Sequence, residues 1–318
     1  MEQMQQMTWP RRDLLKTPFL GAAMAAATGA PGQAQTLGRP AASDDPTRGR
    51  TLAFNENFKR LDTALWDAGP KATASAQGFY GRSAFARLSG EAGFNPYRIV
   101  ADPLATDGTA LQIGARYIGR TLDIPNYYGN ATADYQWVSG NLQTASRDGS
   151  IRAGWRNGYF EARMRFPAHP LTWPAFWLLN KNSILNPATS IEVDIVEHKG
   201  FEQRLYGTYL HEWGDPGQVH QGSGVTPGVD LTSGYFRYGF LIDGERCAPL
   251  FERRRVLDLE TGRPIGWPLG RAAEMDRSGD VFWPLLTLAL RTDVPFPAPL
   301  QEKDRETSMR VDYVRVYT

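Results

Sequence analysis

"SIEVDIVEHKG", Ser190 to Gly200, sets three carboxylates into a run of Ile and Val. Successive side chains of a β-strand point to opposite faces. Ile191, Val193 and Ile195 then share an apolar face, while Glu192 and Asp194 stand on the other. Unbroken alternation would carry Val196 onto the acidic face and drive Glu197 into the apolar side, where an unpaired charge is costly. One extra residue near Ile195-Val196, a β-bulge, resets the phase and returns Glu197 to the side of Glu192 and Asp194. The stretch therefore predicts a bulged strand with a core on one side and three gathered acids on the other.

The surrounding chain has the same grain. In "GYFEARMRF", Phe160, Ala162, Met164 and Phe166 fall on one face, and Tyr159, Glu161, Arg163 and Arg165 on the other. Similar runs are "TLAFNENF", "ALQIGAR", "AFWLL", "RLYGTYLHEW", "FRYGFLID", "PLLTLAL" and "MRVDYVRVYT". Gly (32) and Pro (22) cluster between them, and no long 3.6-residue period appears. The pattern predicts an all-β sandwich or jelly roll of two antiparallel sheets, one domain over 51–318. Segments 68–100 and 258–280 lack periodicity and are expected as loops.

Of the 318 residues, 42% are hydrophobic and 22% charged, enough for a sizeable core. A net charge of +1 gives no reason to expect nucleic acid or an anionic membrane as partner, and a monomer is expected. The triplet Arg253-Arg254-Arg255 reads as a solvated strand face or turn rather than a binding patch. Cys247, the single cysteine, excludes an internal disulfide and is read as structural.

At the amino terminus, "RRDLLK" (Arg11 to Lys16) precedes the Ala-rich run "TPFLGAAMAAATGA" and the small-residue stretch "PGQAQ". Basic, apolar, then cleavable is the order of an export signal, and the paired arginines resemble the twin-arginine type. The run is too short and too rich in Ala and Gly for a stable membrane span, which needs about 20 strongly apolar residues. Residues 1–34 are expected as signal, 35–50 as linker, and the mature protein as periplasmic or extracellular.

Three acids on one face suit cleavage of a glycosidic bond. One carboxylate attacks the anomeric carbon and one carboxylic acid protonates the leaving oxygen; a retaining enzyme holds them only about 5–5.5 Å apart. Crowded like charges raise at least one pKa, keeping an acid protonated near neutrality. Two other readings fit the spacing: oxygen ligands for a hard cation such as calcium, with the metal unknown, or a solvated, salt-bridged face.

Glu192-Val193-Asp194-Ile195-Val196-Glu197 resembles the E-x-D-x-x-E signature of glycoside hydrolase family 16. "NGYFEARMRFPAHPLTWPAFWLL" is similar to that family's strands ahead of the signature, "FNENF" to its opening strand and "RVDYVRVY" to its closing one. The bulged spacing is that of laminarinases and agarases; lichenases and xyloglucan transglycosylases carry E-x-D-x-E. The resemblance implies a concanavalin-like β-jelly roll whose concave sheet forms a glycan cleft. It also implies retaining hydrolysis of a β-linked polysaccharide with no cofactor. By position, Glu192 would be the nucleophile, Glu197 the acid/base and Asp194 the assisting carboxylate. A non-catalytic carbohydrate-binding protein and a transglycosylase share this fold and stand as alternatives.

Trp173 and Trp177, four residues apart, fall on one strand face and match the family's sugar-stacking tryptophans. His211 stands near a histidine that touches the central subsite, and Asp312 at a position some members use for calcium. His198 follows Glu197, faces oppositely and is read as structural. Thr287, Arg291 and Thr292 depart from the family's Asn and paired glycines. Tyr127, Tyr128, Tyr135 and Trp137 are expected to wall the cleft.

Overall fold

Two sheets enclose the core in the computed structural model. It describes residues 45–68, 79–80, 83–85, 93–120, 136–146, 150–185, 190–214, 218–291 and 300–318, all within the unit Gln35–Thr318. The export stretch, residues 35–44 of the expected linker, Tyr127, Tyr128, Tyr135 and Thr292 lie outside the described residues.

In chain order the first strands are β1 (Leu52–Glu56), β2 (Asp67–Ala68), β3 (Phe79–Tyr80), β4 (Ser83–Phe85), β5 (Tyr97–Ala101), β6 (Thr109–Tyr117), β7 (Trp137–Ser139) and β8 (Asn141–Gln143). Then come β9 (Gly158–Arg165), β10 (Thr172–Asn180), helix α1 (Asn182–Leu185), β11 (Ile191–His198), β12 (Tyr206–Glu212) and β13 (Val219–Val225). The chain continues through β14 (Phe236–Asp243), β15 (Arg246–Phe251), β16 (Arg254–Arg255), β17 (Trp267–Pro268), helix α2 (Ala272–Ser278), β18 (Phe282–Leu290) and β19 (Glu306–Tyr317).

The larger sheet runs β16-β15-β14-β9-β19-β6-β7-β4-β3, with β1 on β19, β17 on β15 and β5 on β6. The smaller runs β13-β12-β11-β10-β18-β8-β2. The pairs are antiparallel apart from β4 with β7. The two-residue alternation sorts the smaller sheet cleanly. Phe176, Leu178, Ile191, Val193, Leu286 and Leu288 join the core between the sheets. Ala175, Trp177, Leu179, Trp283 and Leu285 form a second cluster on the opposite face. The chain switches sheets at Gly140, between β7 and β8. A Cβ there would lie 2.6 Å from the Tyr97 ring and 2.7 Å from Ile113 Cγ2, so a side chain has no room.

Several expectations are corrected. Segment 68–100 contributes β3, β4 and β5. Segment 258–280 contains α2, whose buried Ala272 and Met275 are one helical turn apart and which ends at Gly279 with φ 64°. Residues 45–50 form a turn in which Arg50 pairs with Asp243 at 3.6 Å. Trp137 does not wall a cleft: it is fully buried in the main core, against Tyr117 and His169. Arg253 does occupy a turn, but its guanidinium is turned inward onto the buried Glu161 instead of being solvated. Cys247 is buried, with its Sγ directed at the Trp267 carbonyl.

His198 faces the core, as the reset phase requires, stacked on Phe166 at a centroid distance of 4.8 Å. Burial lowers its pKa to about 4. A folded value below the unfolded one of about 6.5 means this contribution is complete above pH 6.5 and lost as pH falls toward 4. His198 should therefore remove about 2–3 kcal/mol of stability by pH 4.5. In His198→Phe, urea denaturation at pH 7 and pH 4.5 should show a correspondingly flatter dependence; equal slopes in both proteins would refute this assignment.

Candidate functional site

The register break falls where the sequence requires it. β11 pairs with β10 through Val196–Phe176 and Asp194–Trp177, leaving Ile195 as the extra residue. On the other side, β12 shows its shift between Asp194 and Glu197. The Asp194 carbonyl inside this irregular turn of chain accepts from Thr208 Oγ1 at 3.0 Å. At the start of β11, Ile191 N donates to Asn180 Oδ1 (2.8 Å), and Asn180 Nδ2 donates to Asp280 (2.7 Å). These bonds hold β11 to its neighbours at its start and at the bulge.

Glu192, Asp194 and Glu197 lie opposite Leu179, Trp177 and Ala175 of β10. Together with Trp173, Ala175, Trp177, Thr287 and Ala289 they line a half-open pocket on the face away from the core. Glu192 and Glu197 are partly exposed, whereas Asp194 is buried. Burial, then the Glu192 charge, pushes the Asp194 pKa well up. Burial, then the charges of Asp194 and Glu192, does the same for Glu197, against a smaller opposing pull from Lys199 and Trp173. One pocket thus gathers three acids, two of which, Asp194 and Glu197, hold their protons more tightly than an ordinary carboxyl.

The two tryptophans differ. Trp173 lies against Glu197 and draws its pKa down against the larger effects of burial and the neighbouring acids. Trp177 is only 5% exposed and donates through Nε1 to Thr287 Oγ1 at 2.8 Å, while Thr287 in turn donates to Asn141 Oδ1. Thr287, where the chain departs from the family pattern, is therefore a bracket for Trp177 within the pocket wall. Arg291 stacks over Phe201 at 4.0 Å.

His211 sits opposite Glu192 on β12. Its Nε2 is 3.3 Å from Asp194 Oδ2, and its Nδ1 is 2.8 Å from His220 Nδ1 on β13. Tyr209 and Trp213 flank it on the same face, with ring centroids 5.7 and 5.2 Å away. Trp213 Nε1 donates to Glu192 Oε2 at 3.3 Å. The Tyr209 ring lies over strand glycines: a Cβ at Gly222 would meet its Cδ1 at 2.2 Å. Burial, then Glu197 and Asp194, raises the Tyr209 phenol pKa.

Tyr209, Trp213 and His220 were not among the residues singled out from sequence. The first two were available from "YLHEW", since alternation places Tyr209, His211 and Trp213 on one face. His220 was not, because only the β12–β13 register brings it to His211.

For a cation, Glu192, Asp194 and His211 bring one ligand atom each within 4.8 Å of one another. Two carboxylates and an imidazole suit calcium poorly, since it takes 6–8 oxygens. Asp312 is committed elsewhere: it accepts from Thr106 N (2.9 Å) and Oγ1 (2.7 Å) and pairs with the Arg163 guanidinium. Both Asp312 oxygens are thus already engaged by protein groups.

No family model matches the chain. It is 28% identical over 189 residues to an endo-1,3-1,4-beta-glycanase of Rhizobium meliloti, covering 59% of this chain and 35% of that protein. It is 36% identical over 95 residues to a glucan endo-1,3-beta-glucosidase of Cryptopygus antarcticus, covering 28% and 34%. The chain thus matches about a third of the length of these relatives. Among solved structures it superposes on a non-specific endo-beta-1,3(4)-glucanase of glycoside hydrolase family 16 with a TM-score of 0.59, at 19% identity over 85% of this chain and 95% of the other. It also superposes on the catalytic domain of a laminarinase from Thermotoga petrophila, with a TM-score of 0.55 at 18% identity over 85% and 98%. The fold is therefore the jelly roll shared with these family 16 glucanases.

Proposed function

We propose that the protein is a retaining endo-β-glycanase of the family 16 type that hydrolyses a β-linked polysaccharide by double displacement. The β-1,3- and mixed-linkage glucans and bacterial exopolysaccharides are the candidate substrates. The observation that carries this reading is the bulge at Ile195, which brings Glu192, Asp194 and Glu197 into one tryptophan-lined pocket.

In this reading Glu192 attacks the anomeric carbon while Glu197, still protonated, gives its proton to the departing glycosidic oxygen. The resulting glycosyl ester is hydrolysed by water, from which Glu197 now takes a proton, and Glu192 leaves as carboxylate. Asp194 lies between them in sequence, and its charge state tunes both neighbours. Trp173, partly exposed, offers an apolar face to the sugar rings, and the buried Trp177 backs the pocket wall behind it. The protein acts as a monomer, requires no cofactor, and is exported through its amino-terminal 34 residues. The order of "RRDLLK", the Ala-rich run and "PGQAQ" supports that last point.

A reducing-sugar assay on β-1,3-glucan, mixed-linkage glucan, agarose, carrageenan and a succinoglycan-type polymer tests the reading. Release from one polymer, lost in Glu192→Gln, is the expected result. Binding without release would favour a carbohydrate-binding protein. Products longer than the substrate at high acceptor concentration would favour a transglycosylase.

A further inference from the structure

The bond between His211 and His220 is of an unusual kind. Two imidazoles meet Nδ1 to Nδ1 at 2.8 Å, so one nitrogen must carry the proton and the other must accept it. The outer nitrogen of His211 then faces Asp194 Oδ2 at 3.3 Å. The tautomer chosen at one end of this chain of three groups decides what the acid meets at the other.

We propose that His220 is a positioning residue for the reaction: its Nδ1–H donates to His211 Nδ1 and holds His211 as the Nε2–H tautomer, which donates to Asp194 beside the proposed nucleophile. The inference rests on the glycosidase reading and extends it to the edge strand. The reverse arrangement would turn the bare Nε2 lone pair of His211 onto Asp194 Oδ2, which is accommodated only while Asp194 keeps its raised proton and becomes repulsive once the acid ionises. His220 can donate from Nδ1 either as that neutral tautomer or as imidazolium, so its own titration does not break the arrangement. His211 is also held in place as a ring, between Tyr209 and Trp213, with His220 edge-on at 4.9 Å.

Among the described residues, the titratable groups facing the pair are Glu192, Asp194 and Glu197 from β11 and Tyr209 from β12; β13 supplies only His220 itself. Burial lowers the pKa of His211 against the pull of Glu192, and burial followed by His211 lowers that of His220. Arg271 bonds the Trp213 carbonyl, next to but outside the chain of rings. A hydrogen bond from His211 stabilises the ionised form of Asp194. Its loss should let Asp194 keep its proton to higher pH, so that the carboxylate pair ionises later.

The test uses the full chain and two variants of an exposed residue on an edge strand. His220→Phe keeps a ring against Trp213 and His211 but has no donor; His220→Asn can place an amide N–H near the lost Nδ1–H. The acid limb of kcat/KM should move up by roughly 0.5–1 pH unit in His220→Phe, a three- to tenfold change in the ionised fraction. His220→Asn should return it toward wild type. In parallel, ¹⁵N spectra of the four imidazoles, assigned by variant, should show His211 protonated at Nε2 in the wild type and a mixture of tautomers in His220→Phe. An acid limb that superposes on wild type in an active His220→Phe enzyme would overturn the proposal, as would a wild-type His211 protonated at Nδ1 alone. A wild type silent on every polymer would instead overturn the glycosidase reading and the positioning role together, while the spectra still decide the tautomer.

Discussion

Glu192→Gln should lower polysaccharide turnover by at least about 10³-fold while leaving glycan binding and the folding midpoint near wild type. The amide is close in shape to the carboxylate and can still accept from Trp213 Nε1, so the pocket wall is kept. What is lost is the nucleophile, and with it a charge. That charge contributes to raising both Asp194 and Glu197, so in the variant both acids should titrate at lower pH than in wild type. Glu197→Gln should be comparably inactive on polymer, because the leaving oxygen of a sugar needs a proton that Gln cannot give. With an activated aryl glycoside, whose leaving group departs without a proton, Glu197→Gln should recover much of its rate, whereas Glu192→Gln should not. Equal recovery in both variants would exchange or dissolve the assigned roles.

The largest effect on stability is expected at Arg253. Glu161 is fully buried and its two oxygens have four partners: Arg253 Nε at 2.8 Å, Arg253 Nη2 at 2.9 Å, Tyr159 OH at 2.9 Å and Tyr313 OH at 3.0 Å. Removing the guanidinium leaves a buried carboxylate with only two neutral donors. Arg253→Met should therefore cost about 3–5 kcal/mol, a fall in Tm of about 5–9 °C. The double variant Arg253→Met with Glu161→Gln should recover a substantial part, because it removes the stranded charge as well. The site also holds a strained turn. Glu252 and Arg253 join β15 to β16 with φ of 50° and 60°, a left-handed pair that usually takes Asn-Gly. Glu252 is kept there by its bonds to Arg237 N and Nη1, and Arg253 by Glu161. Urea denaturation of the single and double variants measures the coupling. A single-variant loss below about 1 kcal/mol would mean that the pair contributes little net stability.

Trp137 and Arg253 show where reading along the chain failed. Trp137 precedes the sheet switch at Gly140, and which side of β7 faces the core depends on that switch, not on the residues nearby. The Arg triplet has an ordinary surface composition, and nothing within ten residues of Arg253 announces Glu161, 92 positions away. By contrast, the acidic row, the inward-facing His198 and the shared face of Trp173 and Trp177 were legible because each follows from a period of two within one strand. The same rule places Tyr209 and Trp213 on the face of His211.

Alternation and the cost of burying a charge were enough to determine, from sequence, an all-β chain with a bulge at Ile195 and three acids on one face. Both are properties of neighbouring residues, set by backbone geometry and solvation. Which groups surround those acids was decided only by tertiary structure. His220 reaches His211 through the β12–β13 register, Thr287 reaches Trp177 through β10 and β18, and Asn141 completes that bracket from β8. Register is a relation between segments far apart in sequence, chosen by how whole faces pack, so no local pattern carries it.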